Sequence, residues 1–152
     1  MTVRRIDYTY DECGLENVIL QDFAIQVDDA GEEVITIANV NALHRVLVHA
    51  VATKPGGLAP AEIRFLRSEM RLSQAELAKL IGKDGQTVGR WERGETPIDQ
   101  ASQMVVRRKA VEYADIDDIA IDALAECSTY SAVQDPIRIQ ADDPDNYRPV
   151  AA

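Results

Sequence analysis

The sequence predicts an α+β chain: a small antiparallel sheet with one helix over residues 1–53, followed by an all-helical domain of about five helices over residues 60–128. Three observations carry this. Residues 3–37 are strand-like, with the strand period of two in Ile6–Tyr10 and in Phe23–Val27. The stretch Thr53-Lys54-Pro55-Gly56-Gly57-Leu58-Ala59 interrupts the pattern, because Pro restricts the chain and two glycines free it. From Pro60 onward apolar residues recur at spacings of three and four behind capping residues. Residues 54–59 therefore read as a linker, and 129–152 as an acidic, Pro-containing tail.

In the first part, Ile6-Asp7-Tyr8-Thr9-Tyr10 alternates and Asn17-Val18-Ile19-Leu20 is short and apolar. Phe23 to Val27 faces Val34 to Ile37 across the acidic, Gly-containing loop from Asp28 to Glu33, a hairpin candidate. Tyr8 and Tyr10 are either packing residues or exposed for a partner. Asn41 is the expected cap of a helix to Thr53, whose Leu43, Val46, Leu47, Ala50 and Val51 form a stripe that should cover the sheet. His44 and His49 stand about 140° apart around that helix at about 100° per residue. They cannot share a metal from one face, and with no cysteine pair nearby no zinc is expected.

In the second part, Pro60 suits a first helical turn, and Ile63, Leu66, Met70 and Phe65 supply its core. Ser73 with Glu76 three residues later makes a capping box ahead of Leu77, Leu80 and Ile81, and Gly82 ends that helix. Asp84 caps the next helix, with apolar Val88 and Trp91 and a close at Gly94. Small Ala78 sits where the two must cross. Asp99 caps a further helix carrying Ala101, Met104, Val105 and Val111. Its Arg107, Arg108 and Lys109 either touch DNA backbone or pair with nearby acids. Asp115 caps a last helix with Ile116, Ile119, Ala120, Ala123, Leu124 and Cys127 in a stripe and Asp117, Asp118, Asp122 and Glu126 elsewhere. That helix either completes the domain or forms a dimer seam. In the tail, Ile137-Arg138-Ile139 is an edge-strand candidate in a segment equally suited to disorder.

Residues 73–94 thus form a short capped helix, a three-residue turn and a second capped helix, the layout of a helix-turn-helix, whose second helix can lie in a DNA major groove. This stretch resembles the helix-turn-helix of the XRE family, the phage-repressor-like regulators, in its Leu72-Ser73-Gln74 opening and its Trp91-Glu92-Arg93-Gly94 close. The resemblance implies that Gln74 anchors a phosphate and that Gly85, Gln86, Thr87 and Arg90 face the groove. Gln86 suits adenine, and Arg90 suits guanine O6 and N7. Gln86, Arg90 and Gly85 are therefore the expected base-facing positions, and Gln74, Lys83, Thr87 and Arg93 the phosphate-facing ones. The resemblance also implies a structural ion pair between Glu92 and Arg67. Gly85 and Gly89 depart from a strong helix former, each costing roughly 1 kcal/mol relative to alanine. They mark either close backbone approach to DNA or a weakly specific helix that firms up on binding.

Charge distribution agrees with this placement. The net charge is −10 over 152 residues, an unfavourable total for a phosphate binder. Yet residues 60–112 carry 10 basic and 8 acidic side chains, against 4 and 9 before them and 2 and 9 after. The motif lies in the one region of positive balance. No run of about 18 apolar residues and no signal-peptide core occurs, so a cytoplasmic protein without membrane association is expected. Cys13 and Cys127, far apart in sequence, fit a reducing compartment. Cys13 with His44 or His49 would make a nucleophile and base, but no local spacing joins them, and no enzymatic activity or cofactor is expected.

The function expected is a sequence-specific DNA-binding transcriptional regulator, an autorepressor bound as a homodimer to a palindromic operator. A sheet-and-helix partner or sensing domain linked to such a reader is also similar to MqsA-type antitoxins. Tyr8-Thr9-Tyr10-Asp11-Glu12-Cys13-Gly14-Leu15-Glu16-Asn17-Val18 looks like a leader of zinc-free relatives of that group. The alternative is therefore an antitoxin of a type II pair that also neutralises a toxin protein through its N-terminal domain or tail. The zinc-binding cysteine pairs of metal-containing members are absent.

Overall fold

The computed structural model describes residues 2–116, 121–128 and 135–150. The chain forms two compact units, residues 1–46 with 135–152, and residues 47–134. The division falls inside helix α1 (Val40–Thr53) rather than at 54–59, and the expected separate tail contributes to the first unit from Asp135 onward.

In the first unit, strands β1 (Thr2–Thr9), β2 (Val18–Val27), β4 (Ile137–Gln140) and β5 (Arg148–Pro149) form a sheet in the order β1-β2-β4-β5, with the short β3 (Glu33–Val34) also on β2. The pairs β1–β2, β2–β3 and β4–β5 are antiparallel, but β2–β4 is parallel, so the sheet is mixed. A tight turn forces antiparallel neighbours, whereas β4 arrives after a long connection and is free of that constraint. Ile137–Ile139, expected at an edge if ordered, is flanked by β2 and β5.

The two apolar segments expected as separate strands are one strand with a phase slip. Val18 and Leu20 are buried, and so are Phe23 and Ile25, so the buried parity changes between Leu20 and Phe23. The register jumps there from Tyr8↔Leu20 to Ile6↔Phe23, leaving two residues of β2 opposite Asp7, with Asp22 at φ 55. A β-bulge therefore keeps both apolar sets on the core face. Phe23 stacks on Tyr8 with ring centroids 5.3 Å apart. Tyr10 is buried, and its hydroxyl lies 2.7 Å from His44 Nε2, so both tyrosines pack.

The hairpin return is shorter than expected. Asp28 Oδ1 accepts from the backbone N–H groups of Ala30 and Glu32, setting the turn, and only Glu33 and Val34 pair with β2. Ile35 lies outside the strand and is exposed. The chain then turns at Asn39 (φ 58), whose carbonyl accepts from Ala42 and Leu43; α1 starts at Val40, one residue ahead of the expected cap Asn41.

The second unit contains α2 (Pro60–Glu69), α3 (Gln74–Leu80), α4 (Gly85–Glu92), α5 (Gln100–Tyr113) and α6 (Ile121–Cys127). Its core gathers Ile63, Phe65, Leu66, Leu77, Ala78, Val88, Trp91, Val106, Ala110, Val111 and Leu124. The expected face of α2 is buried as read. On α5 only Val111 of the expected face is buried: Ala101 is exposed and Met104 and Val105 are half-buried, while Ser102, Gln103, Val106, Arg107 and Ala110 are buried beside Val111. Polar residues occupy this face because they tie down neighbouring backbone.

Arg107 is the main tie. Its Nη1 donates to the carbonyls of Ala52 and Lys54 at 3.0 Å, and its Nη2 to those of Gly56 (2.6 Å) and Cys127 (3.3 Å). Burial lowers its pKa from the ordinary guanidinium range, opposed by Cys127 and Glu62. Gln103 Oε1 accepts from Leu58 N at 3.1 Å, and Lys54 pairs with buried Glu62 at 2.6 Å. The stretch expected as a free linker is thus held along its length, and Arg107 is not available to DNA. Arg108 and Lys109 both pair with Glu112.

Asp115 stands at φ 54 and donates its N–H to the Glu112 carbonyl, so it belongs to the end of α5 rather than capping α6. Asp117, Asp118, Ile119 and Ala120 lie outside the described residues. Within α6, Leu124 is buried whereas Asp122, Ala123 and Glu126 are exposed.

Candidate nucleic-acid interface

The two motif helices are built as their local sequence dictates. Ser73 Oγ accepts from Glu76 N at 3.0 Å and Glu76 Oε1 accepts from Ser73 N at 3.0 Å, a closed capping box on α3. Gly82 follows at φ 68, a conformation that glycine adopts without a side-chain clash. Asp84 Oδ1 then accepts from Thr87 N (2.8 Å) and Thr87 Oγ1 (3.0 Å), capping α4. These bonds hold the Glu76 and Asp84 carboxyls below the usual carboxylate range.

Behind this pair stands a polar brace. Arg67 Nε and Nη2 donate to the two oxygens of Glu92 at 2.6 and 2.9 Å, and Arg67 Nη1 donates to the Leu72 carbonyl at 2.9 Å. Hydrogen bonding to Glu92 raises the Arg67 pKa further, against the opposing effect of burial. Gln74 Nε2 also donates to Glu92 Oε1, at 3.3 Å. This third member was not anticipated, although Gln74 and Glu92 both stand at motif positions. The brace links α2, the α2–α3 turn, α3 and α4, which fixes how α4 is presented.

Neither glycine of α4 opens onto free space. A Cβ on Gly85 would stand 3.3 Å from Ala75 Cα, so this position packs against α3. Gly89 is buried, and a Cβ there would meet Arg93 Nη1 at 2.9 Å and Gln74 Oε1 at 3.2 Å. The ends of Gln74 and Arg93 therefore lie over Gly89, which makes room for them. Glycine here serves helix packing and side-chain placement.

Among the remaining sequence candidates, Gln86, Arg90 and Lys83 are exposed. Gln86 and Arg90 are four residues apart and share one face of α4. Arg90 makes no hydrogen bond among the described residues, and its charge helps lower the pKa of Asp84 and Glu95. Thr87 has committed its hydroxyl hydrogen to Asp84, leaving that oxygen as an acceptor. Arg93 bonds Glu95 through Nε and Nη2 at 3.0 and 3.2 Å, and Gln74 retains its second amide hydrogen. Arg71, exposed at φ 57 between α2 and α3, is a further cation beside the motif that sequence reasoning did not assign.

Two exposed polar side chains on a short capped helix and a third in the turn before it, with an ion pair bracing the helix from behind, give the layout of a helix-turn-helix. Residues 63–102 match the family model described as Helix-turn-helix, so this segment, from Ile63 in α2 to the first turn of α5, is a helix-turn-helix domain of the XRE family, a DNA-binding regulatory class. No curated protein and no solved structure significantly matches the chain. Among the described residues no group of three or more His, Cys, Asp or Glu is arranged to hold a metal ion, and no helix is long and apolar enough to cross a membrane. Neither Cys13 nor Cys127 is in a disulfide.

Proposed function

We propose that the protein is a sequence-specific transcriptional regulator that represses its own operon, bound as a homodimer to a palindromic operator. The observation that carries this reading is the exposure of Gln86 and Arg90 on one face of α4 while the neighbouring polar groups are engaged in capping and bracing. Arg90 reads guanine and Gln86 adenine; Lys83, Gln74, Arg93 and the N-terminal turn of α4 near Thr87 hold phosphates. One reader of this size spans few base pairs, so two are needed, on half-sites roughly 10 bp apart. Selection of bound fragments from random duplexes, followed by footprinting on the protein's own promoter, tests it. The expected result is a palindrome with two protected half-sites there; an unprotected promoter refutes autorepression.

A second reading is favoured by the first unit, which carries 13 acidic and 5 basic side chains. Such a surface suits a basic protein partner, as for an antitoxin that captures a basic toxin. Coexpression with the product of the adjacent gene, followed by copurification, tests this; failure to copurify removes it.

A further inference from the structure

β1 is the outer strand of the sheet. It pairs with β2 on one side, and among the described residues no strand lies on its other edge. It is eight residues long with a largely exposed burial pattern, and Val3 keeps 64% of its surface accessible. Because the bulge adds its extra residue to β2, β1 itself runs without interruption. Edges of this length are usually blunted by proline, charged side chains or a bulge in the edge strand itself. Thr2–Thr9 has no proline and no inserted residue, and its charges, Arg4, Arg5 and Asp7, are of both signs, so they oppose random pairing but permit a matched one.

The sequence of β1 is complementary to itself in one register. A sheet extended by a second copy keeps a single core face only if opposed residues share parity, so the two-fold axis must pass through a residue. An axis at Arg4, Arg5 or Asp7 sets that charged residue against its own copy, which is destabilising. An axis at Ile6 sets Arg5 opposite the second copy's Asp7 twice over, Ile6 opposite Ile6, and Val3 opposite Thr9. Arg4 then faces Tyr8, whose ring is already stacked on Phe23. Arg5 donates one Nη1 hydrogen-bond set to the Asp22 and Asp142 carbonyls and keeps its other N–H groups for the new partner.

We propose that β1 is a homodimer interface, in which two copies join edge to edge about a two-fold at Ile6 and are selected by reciprocal Arg5–Asp7 pairs. This rests on the homodimer reading above and names its contact. It places two helix-turn-helix domains in one particle without using either reading helix.

The test is sedimentation and light scattering of the full-length chain, wild type against Arg5→Asp and Asp7→Arg, alone and mixed. Each single substitution turns both cross-strand pairs into like charges, and the dimer dissociation constant is expected to rise about tenfold or more. An equimolar mixture of the two variants restores opposite charges at both pairs, so it should form a heterodimer of near wild-type affinity. A mixture that stays monomeric overturns the proposal, since loss in the single variants would then come from damage to each fold. Single variants that dimerise as well as wild type also overturn it, and leave the homodimer reading standing. A wild type that is monomeric at every concentration removes both.

Discussion

Gly89 and Arg107 are residues whose roles are set by what surrounds them. Gly89 lies beneath the ends of Gln74 and Arg93, both flexible side chains that can move aside. Gly89→Ala should therefore keep or raise stability, by up to about 1 kcal/mol from helix propensity, while weakening binding to DNA of every sequence by displacing the two groups proposed to hold phosphates. Thermal melts alongside titrations with specific and random duplexes separate the two effects. Gly85→Ala should instead lower stability, because its obstacle is the Ala75 backbone. Arg107→Met leaves four carbonyls without their shared donor, and a loss of about 3 kcal/mol or more is expected in denaturant unfolding. Neither role was legible in the sequence. A glycine does not reveal which side chains lie over it, and Arg107 sits in a basic triplet that looks solvated.

At the scale of the element, what was legible was local. Ser73, Glu76 and Asp84 act within one turn of themselves, so the ends of α3 and α4 could be read directly, as could the apolar face of α2. The buried face of α5 could not, since it contains Ser102, Gln103 and Arg107 and is defined by backbone groups from residues 52–58. The two halves of β2 were legible as strands, but only the change of parity at Gln21–Asp22, visible in hindsight, joins them through a bulge. The caps also predict a pH response. Glu76 and Asp84 titrate below their ordinary range, held by bonds from Ser73 and Thr87; in Asp99 the bonds from Ser102 outweigh the opposing effect of burial. A carboxyl lowered in the folded state adds stability that is complete above its unfolded pKa and lost as pH falls through the folded one. The melting temperature should thus be nearly flat from pH 7 to about 5 and fall below about 4, the ordinary carboxyl range. Asp84→Asn, which retains a cap but not the titration, should shallow that fall.

The whole molecule combines an acidic sheet unit with a helical unit whose charges nearly balance. Residues 47–134 carry 11 basic and 13 acidic side chains, the first unit 5 and 13. That balance weakens the sequence-independent attraction to phosphate and leaves a larger share of recognition to base contacts. Two features of the whole chain were not legible: the Pro-Gly-Gly stretch that signals a flexible linker is fastened by Arg107, Gln103 and Glu62, and β4 returns from the far end of the chain to pair with β2. The central claim is that α4 reads DNA through Arg90. It is tested most directly by competition titrations of wild type and Arg90→Ala against the selected operator and a scrambled duplex at one salt concentration. A bidentate arginine–guanine contact is worth about 1–3 kcal/mol, so the variant should lose roughly fivefold to a hundredfold of the operator preference while its affinity for scrambled DNA changes far less. An Arg90→Ala protein that prefers its operator as strongly as wild type would contradict the account.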